Sequence, residues 1–175
     1  EIIETGSEIS GGIVGALVGG LFLGPLGIVI GGASAPILTK TFKTIGVEIK
    51  ERILGSREQI RIGAAYTFAL NKIYENEKQG LTLRSDDFFI HKNESRAAAE
   101  EVLEGVLLLS QREYEEQKIK YLGNLYGNIC SNSDVSREHA NQLIKTTDSL
   151  SFRQICMLQL LKEKLVESQN LGTKL

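Results

Sequence analysis

The sequence predicts an all-α protein: a helical bundle of about five helices preceded by a glycine-zipper hydrophobic helix or helical hairpin. Apolar residues recur at three- and four-residue intervals beyond residue 40, which is the period of a helix. Strand patterns are nearly absent, and residues 9–39 carry no charge while the rest of the chain is densely charged. We therefore divide the chain into a hydrophobic segment, residues 1–39, and a helical bundle domain, residues 40–175.

The hydrophobic segment carries nine glycines between residues 11 and 32. Counting in fours from Gly11 places small residues along one side of a helix, a pattern that lets two backbones approach closely. The predicted helix-packing and oligomerisation residues are Gly11, Gly15, Gly19, Gly27, Gly31 and Ala35. Gly24 and Pro25, at the centre of the segment, predict a kink or a turn.

Glycines in such number need lipid or close packing to remain helical. Together they cost a helix about 9 kcal/mol relative to alanine, at about 1 kcal/mol each. As one helix, residues 9–39 would span about 46 Å, whereas two arms separated at Pro25 would each reach only about 21 Å, against a hydrocarbon core of ~30 Å. The segment is therefore predicted to be one kinked spanning helix or a hairpin, inserted in lipid or buried in protein. The glycine spacings match neither a P-loop nor a dinucleotide-binding fingerprint.

Charge differs between the two sides of the hydrophobic segment. The N-terminal side has three acids and no base, which argues against a secretory signal peptide. Bases follow the segment, and those predicted to face lipid headgroups are Lys40, Lys43, Lys50 and Arg52. Because basic residues beside a membrane segment stay on the cytoplasmic side, the helical body is predicted to lie there.

Two helices are predicted to open the bundle domain. The first ends near Leu54 and Gly55, and its apolar residues are Leu38, Phe42, Ile45, Ile49 and Ile53. Ser56 predicts the N-cap of the second helix, and Gly80 predicts its end in the left-handed conformation. The apolar residues of the second helix are Ile60, Ala64, Ile73 and either Phe68 or Tyr66.

Three further helices complete the predicted bundle. The longest runs from Glu94 or Ser95 to about Cys130, with apolar residues Leu103, Leu107, Tyr114, Leu122, Leu125 and Ile129. A short helix follows, capped by Asp134 or Ser136 and continuing through Leu143 and Ile144. Ser151 and Gln154 predict a capping box for the last helix. The core-facing residues of that helix are predicted to be Phe152, Ile155, Leu158, Leu161 and Leu165.

One short window holds several side chains that bind metals in other proteins: Asp86, Asp87, His91 and Glu94. The interpretation we favour makes the two aspartates turn and cap residues and leaves His91 exposed, while Phe88 and Phe89 anchor the window in the core. We predict no catalytic, cofactor-binding or metal site, and we expect the chain not to be an enzyme.

Composition narrows the partners further. A net charge of −2 over 175 residues gives no reason to expect nucleic acid. Cys130 and Cys156 lie in no metal or catalytic motif, so reduced thiols are the default and a single disulfide is the alternative. The carboxylates of Glu100, Glu101 and Glu104 lack the Glu-x-x-His pairs of di-iron bundles and are interpreted as a solvated helix face.

Three stretches, "RSDDFF", "EGVLLLSQREYEEQKIKYLGNLYGNI" and "LSFRQICMLQLL", resemble a pattern in small bacterial helical proteins of unknown function. The glycine segment is similar in type to those of membrane-disrupting bacterial proteins, including antiphage effectors and toxins that permeabilise the inner membrane. The resemblance implies a bacterial setting and favours a membrane effector. Together with the glycine zipper and the asymmetric flanking charges, it leads us to expect an inner-membrane protein that self-associates through the zipper and permeabilises the membrane, with itself, membrane lipid and a protein as partners. The alternative is a cytoplasmic helical interaction module, an adaptor, sensor or structural subunit, with the glycine segment as a buried hairpin or subunit interface.

Overall fold

A computed structural model describes residues 35–50, 52, 54–92 and 95–172, and this part of the chain is all-helical, as predicted. Its six α-helices are α1 (Ala35–Lys50), α2 (Ser56–Lys78), α3 (Ala98–Arg112), α4 (Ile119–Cys130), α5 (Arg137–Ser149) and α6 (Phe152–Gly172). Single turns of 3-10 helix occupy Asp87–Phe89 and Glu116–Lys118. The predicted glycine ladder from Gly11 to Gly31, with its Gly24-Pro25 centre, lies outside the described residues.

Helices α2, α3 and α4 contact one another and form the centre of the bundle. Helix α1 packs on α3, and α5 packs on both α3 and α4. The predicted stripe of α1 is buried at Leu38, Phe42, Ile45 and Ile49. The ring of Phe42 lies edge-on to two tyrosine rings, with centroids 4.6 Å from Tyr66 and 5.6 Å from Tyr126. Aromatic packing therefore holds α1 in the core, and Tyr66 is the core residue of α2 where Phe68 is half-buried.

The α2–α4 contact depends on glycine. A Cβ atom on Gly123 would lie 2.5 Å from the carbonyl oxygen of Ala65, and one on Gly127 would lie 3.0 Å from that of Ala69. Two small residues four apart on each helix thus face each other, which allows the backbones to approach more closely than side chains normally permit. The small-residue pattern proposed for the hydrophobic segment is therefore present inside the bundle as well.

Local chemistry sets three of the helix ends that the sequence predicts, whereas the predicted cap Ser56 is wrong, because Gly55 is the N-cap of α2 and Ser56 is its first residue. Gly80 follows α2 with a φ of +84°, the left-handed conformation expected there. The Ser136 hydroxyl accepts a hydrogen bond from the His139 N–H at 3.2 Å, so Ser136 is the cap of α5. The Ser151–Gln154 capping box is present, since each residue's side chain accepts the other's backbone N–H.

The single long helix predicted up to Cys130 is wrong, because it breaks between Arg112 and Ile119. Glu113 is extended, and Tyr114, predicted in the apolar stripe, is 84% exposed. Glu113 and Lys118 form a buried ion pair at 2.5 Å, and the Lys118 ammonium also donates to the Asp148 carbonyl at 3.1 Å. An uninterrupted helix would remove this arrangement, so contacts with α5 favour the break.

The prediction that the last helix buries five residues is also wrong. Ile155 is buried and Phe152 is half-buried, its ring 6.0 Å from that of Tyr121 on α4. Leu158, Leu161 and Leu165 are more than half exposed, and every residue from 157 to 165 is exposed. The first turn of α6 therefore packs against the bundle, and the side chains of the following turns, to residue 165, are exposed to solvent.

Candidate functional site

The basic residues predicted to face lipid headgroups differ in whether they pair with a carboxylate. Lys40 and Lys43 are exposed on α1, on turns whose other side is buried in the bundle. Arg52, in contrast, donates to Glu104 of α3 at 2.6 Å. Lys50 is the last residue of α1, and Ala35, the last residue of the predicted ladder, is its first. Lys40 and Lys43, the two lysines nearest the hydrophobic segment, thus face solvent, and Arg52 is exposed but paired with a carboxylate.

Asp86, Asp87, His91 and Glu94 make up the aspartate window, and Asp86 is a cap residue, as predicted. Its carboxylate accepts the N–H of Phe88, which is buried, and pairs with Arg84, whose nearby charge and hydrogen bonds lower the pKa of Asp86. Arg84 also donates to the carbonyl of Val135 at 2.7 Å and stacks on the Phe88 ring at 4.3 Å. This corner joins the α2–α3 connection to the loop that precedes α5.

Asp87 and His91 have separate partners. The Asp87 carboxylate pairs with Lys92, and His91 Nε2 lies 3.0 Å from a carboxylate oxygen of Glu100. Among the described residues, no three histidine, cysteine or carboxylate side chains lie close enough together to hold a metal ion. Glu94, the fourth member of the window, is outside them.

A charged cluster surrounds Arg96, just before α3. Its guanidinium reaches Glu48 of α1 at 2.6 Å and Glu104 of α3 at 2.5 Å, and its Nε lies 3.8 Å from Glu100. Together with the Arg52–Glu104 pair, these contacts join the C-terminal half of α1 to α3. Arginine suits the position because its planar, permanently charged group can serve several carboxylates at once.

The prediction that Glu100 lies on a solvated helix face is wrong, because Glu100 is buried. Its side chain is 2% exposed, and within the described residues its Oε2 atom has no hydrogen-bond partner. The spacing to Leu103 and Leu107 places Glu100 on the buried side of α3, with Arg96 four residues earlier. That spacing is the sequence signal that would have located it.

A polar cleft of about 380 Å³ opens beside this cluster, between the aspartate window and the first turns of α3 and α5. Its charged lining residues are Arg84, Asp86, Asp87, Lys92, Arg96, Arg137 and Glu138. Each base is paired with a carboxylate: Arg84 with Asp86, Lys92 with Asp87, Arg96 with Glu104 and Arg137 with Glu101. Because these charges neutralise one another, the cleft carries no strong preference for an anion or a cation.

The two thiols lie in different environments and do not form a disulfide. Cys130 is fully buried beside Tyr126, and burial raises its pKa to about 12. Cys156 is half-buried in the first turn of α6, near Tyr121. Since the thiolate is the reactive form, Cys130 is protected by both its burial and its protonation.

We therefore expect an aromatic disulfide reagent at pH 8 to modify one thiol of the native protein rapidly and the second only after unfolding in urea. Cys156 should be the fast thiol because reagent can reach it, and the Cys156→Ser variant should lose the fast phase. The absorbance of the released thiol measures both phases. Equal fast reaction of both thiols would contradict the burial of Cys130, and no reaction until reductant is added would indicate a disulfide.

The most exposed apolar surface of the described chain is on α6. Ten large hydrophobic residues are exposed in the described part of the chain, and five of them belong to α6: Met157, Leu158, Leu160, Leu161 and Leu165. Their exposed fractions lie between 54% and 63%. Single exposed leucines are ordinary, but a group of this size on one helix is a candidate interaction surface.

Among the described helices, none combines the length and the apolar character needed to cross a membrane. Comparison with protein-family models, with curated proteins and with solved structures gives no match for this chain.

Proposed function

We propose that this chain is a membrane-active bacterial protein that self-associates through the small-residue ladder of residues 9–39 and permeabilises the inner membrane. The observation that carries the proposal is the uncharged run itself, with small residues at six of the seven positions counted in fours from Gly11 to Ala35. The exposed Lys40 and Lys43, immediately after the run, support contact with anionic headgroups on the cytoplasmic side.

The link between ladder and body adds to this proposal. Helix α1 begins at Ala35, the last position of the ladder, and continues without a break to Lys50. Leu38 and Phe42 are buried in the bundle within its first two turns. Because α1 is buried in the bundle from Leu38 to Ile49, association of the ladders would also bring the helical bodies together.

The direct test changes the small face alone. Gly15→Leu combined with Gly19→Leu should abolish oligomers and the leakage of dye from liposomes, because leucines prevent close approach of the backbones. Ile13→Leu combined with Leu17→Ile is the matched control, since it changes the large-residue side of the segment at the same spacing and keeps the ladder. Leakage that persists in the Gly15→Leu, Gly19→Leu variant would refute the mechanism.

A second candidate function is a soluble helical interaction module, and the exposed apolar side of α6 is the observation that favours it. It predicts that the full-length chain remains in the soluble fraction without detergent, and that deletion of residues 9–39 unfolds or dissociates the protein. Fractionation of the full-length chain separates the two candidates, since the membrane-active protein is expected to sediment with membranes.

A further inference from the structure

Four of the exposed residues of α6 form one continuous stripe. At about 100° of rotation per residue, Met157, Leu161, Leu165 and Leu158 fall within an arc of about 100°. Leu160, although equally exposed, lies about 110° from the middle of that arc. We name the four residues the α6 stripe.

The stripe faces away from the body of the protein. Helix α6 is attached through Ile155, which is buried, and through Phe152, whose ring contacts Tyr121. Gln159 lies on the same side as these residues, and its side-chain oxygen accepts a hydrogen bond from the Tyr121 hydroxyl at 3.5 Å. The attached side is therefore roughly opposite the stripe, which leaves the stripe directed outward.

Charges on α6 are sorted around the stripe. Lys162 lies about 40° beyond one edge and Lys164 about 20° beyond the other, while Glu163 is about 170° from the middle. All three side chains are exposed. Between residues 157 and 165, an apolar strip is bordered by lysines with Glu163 behind it, which is the pattern of helices that lie in the plane of an anionic bilayer surface, where the lysine stems extend toward the headgroups.

A second copy of the chain is a poorer occupant. Two α6 helices that met through their stripes would place Lys162 and Lys164 along the seam on both chains. Like charges at the positions that flank a helix pair oppose association. An anionic lipid surface offers the complementary charge to both lysines at once.

We propose that the α6 stripe docks the helical body on the anionic surface of a bilayer. Helix α6 then lies at the level of the headgroups, with its four apolar side chains below it and its two lysines at the border. This inference rests on the proposed membrane activity, and it assigns a second, peripheral membrane contact to the body, distinct from the glycine segment.

The absence of tryptophan from the chain makes the test direct. In the full-length protein, Leu161→Trp places a single fluorescent reporter in the stripe, and Leu160→Trp places one on an equally exposed site outside it. With vesicles that contain phosphatidylglycerol, the Leu161→Trp emission should move to shorter wavelength and become resistant to aqueous quencher, and the Leu160→Trp emission should change little. Leu158→Trp is the second stripe reporter if Leu161→Trp folds poorly.

The lysines set the lipid dependence. Near an anionic surface each contributes about fivefold to binding, so Lys162→Gln combined with Lys164→Gln should raise the lipid concentration at half-maximal shift about 30-fold. An equal shift with purely phosphatidylcholine vesicles would overturn the proposal. A shift that grows with protein concentration in the absence of vesicles would also overturn it, in favour of a second copy.

The two proposals fail separately. If the chain sediments with vesicles and causes leakage while the Leu161→Trp emission is unchanged, the stripe does not dock and the glycine segment alone accounts for membrane activity. If Leu161→Trp shifts in the Gly15→Leu, Gly19→Leu background while even the native chain causes no leakage, the stripe docks and the proposed permeabilisation is wrong.

Discussion

Replacing Lys118 by methionine is expected to lower the free energy of unfolding by about 3–5 kcal/mol, the usual cost of removing one partner of a buried ion pair. The Lys118 side chain is 4% exposed and that of Glu113 is 6% exposed, with 2.5 Å between the ammonium and the carboxylate. Methionine keeps the apolar stem of lysine but leaves the Glu113 carboxylate buried without its cation. The Asp148 carbonyl loses a donor as well.

Urea unfolding followed by far-ultraviolet circular dichroism measures this effect. Lys120→Met, two residues later on an exposed position of α4, is the matched control and should change stability by no more than about 0.5 kcal/mol. Adding Glu113→Gln to Lys118→Met should restore part of the loss, since the uncompensated charge is then gone. If both methionine variants unfold at the same urea concentration, the ion pair does not stabilise the break between α3 and α4.

Replacing Gly123 by alanine is expected to destabilise the protein by about 2 kcal/mol net. The added Cβ would lie 2.5 Å from the Ala65 carbonyl oxygen and 2.6 Å from Phe68 Cβ. Since these atoms belong to the backbone of α2 or lie next to it, the helices must separate, and such overpacking costs about 3 kcal/mol. The higher helix propensity of alanine offsets about 1 kcal/mol of this cost.

Gly105→Ala is the matched control, because it makes the same change in α3 at a position where a Cβ atom fits. Its Cβ would meet only the tip of the Ile144 side chain, at 3.5 Å, so the substitution should stabilise the protein by up to about 1 kcal/mol. The two alanine variants are thus expected to differ by about 3 kcal/mol in the same denaturation experiment. Equal stability would show that α2 and α4 do not cross as closely as described.

The sequence pattern could have predicted that α4 approaches another helix closely. Gly123 and Gly127 are four apart, as are Ala65 and Ala69, and the hydrophobic segment has the same spacing of small residues. Pattern alone predicts that a helix can approach another closely. It does not identify the partner, because the choice among helices depends on the packing of the whole bundle.

The candidate surface on α6 was only half predictable. The periodicity predicts that Leu158, Leu161 and Leu165 share one face of the last helix, and the structure leaves all three exposed. A stripe that packs in a core and one that binds an external surface have the same spacing. Whether the body covers it depends on where α6 lies relative to α4, and the contacts of Tyr121 with α6 reach from Phe152 to Gln159, on the side away from the stripe.

Glu100 and the Glu113–Lys118 ion pair also depend on contacts that a local sequence pattern does not identify in full. Glu100 is one of several glutamates on α3, and its burial depends on Arg96 and His91, which precede the helix. The break after Arg112 depends on Asp148, thirty residues beyond Lys118 in the chain. The spacing of Arg96 to Glu100 is one helical turn, so the sequence holds part of the signal for Glu100. The break after Arg112 joins residues thirty positions apart, and local propensity carries no information about it.

The sequence by itself determined the helical class, the cap at Ser151, the turn at Gly80 and the buried stripe of α1, and it narrowed the cap of α5 to Asp134 or Ser136. These features follow from the 3.6-residue period and from hydrogen bonds between residues a few positions apart. The tertiary structure alone decided the interruption at Glu113 and the exposure of the α6 stripe. Each of these follows from a desolvation or packing balance between segments distant in the chain, which only the assembled bundle defines.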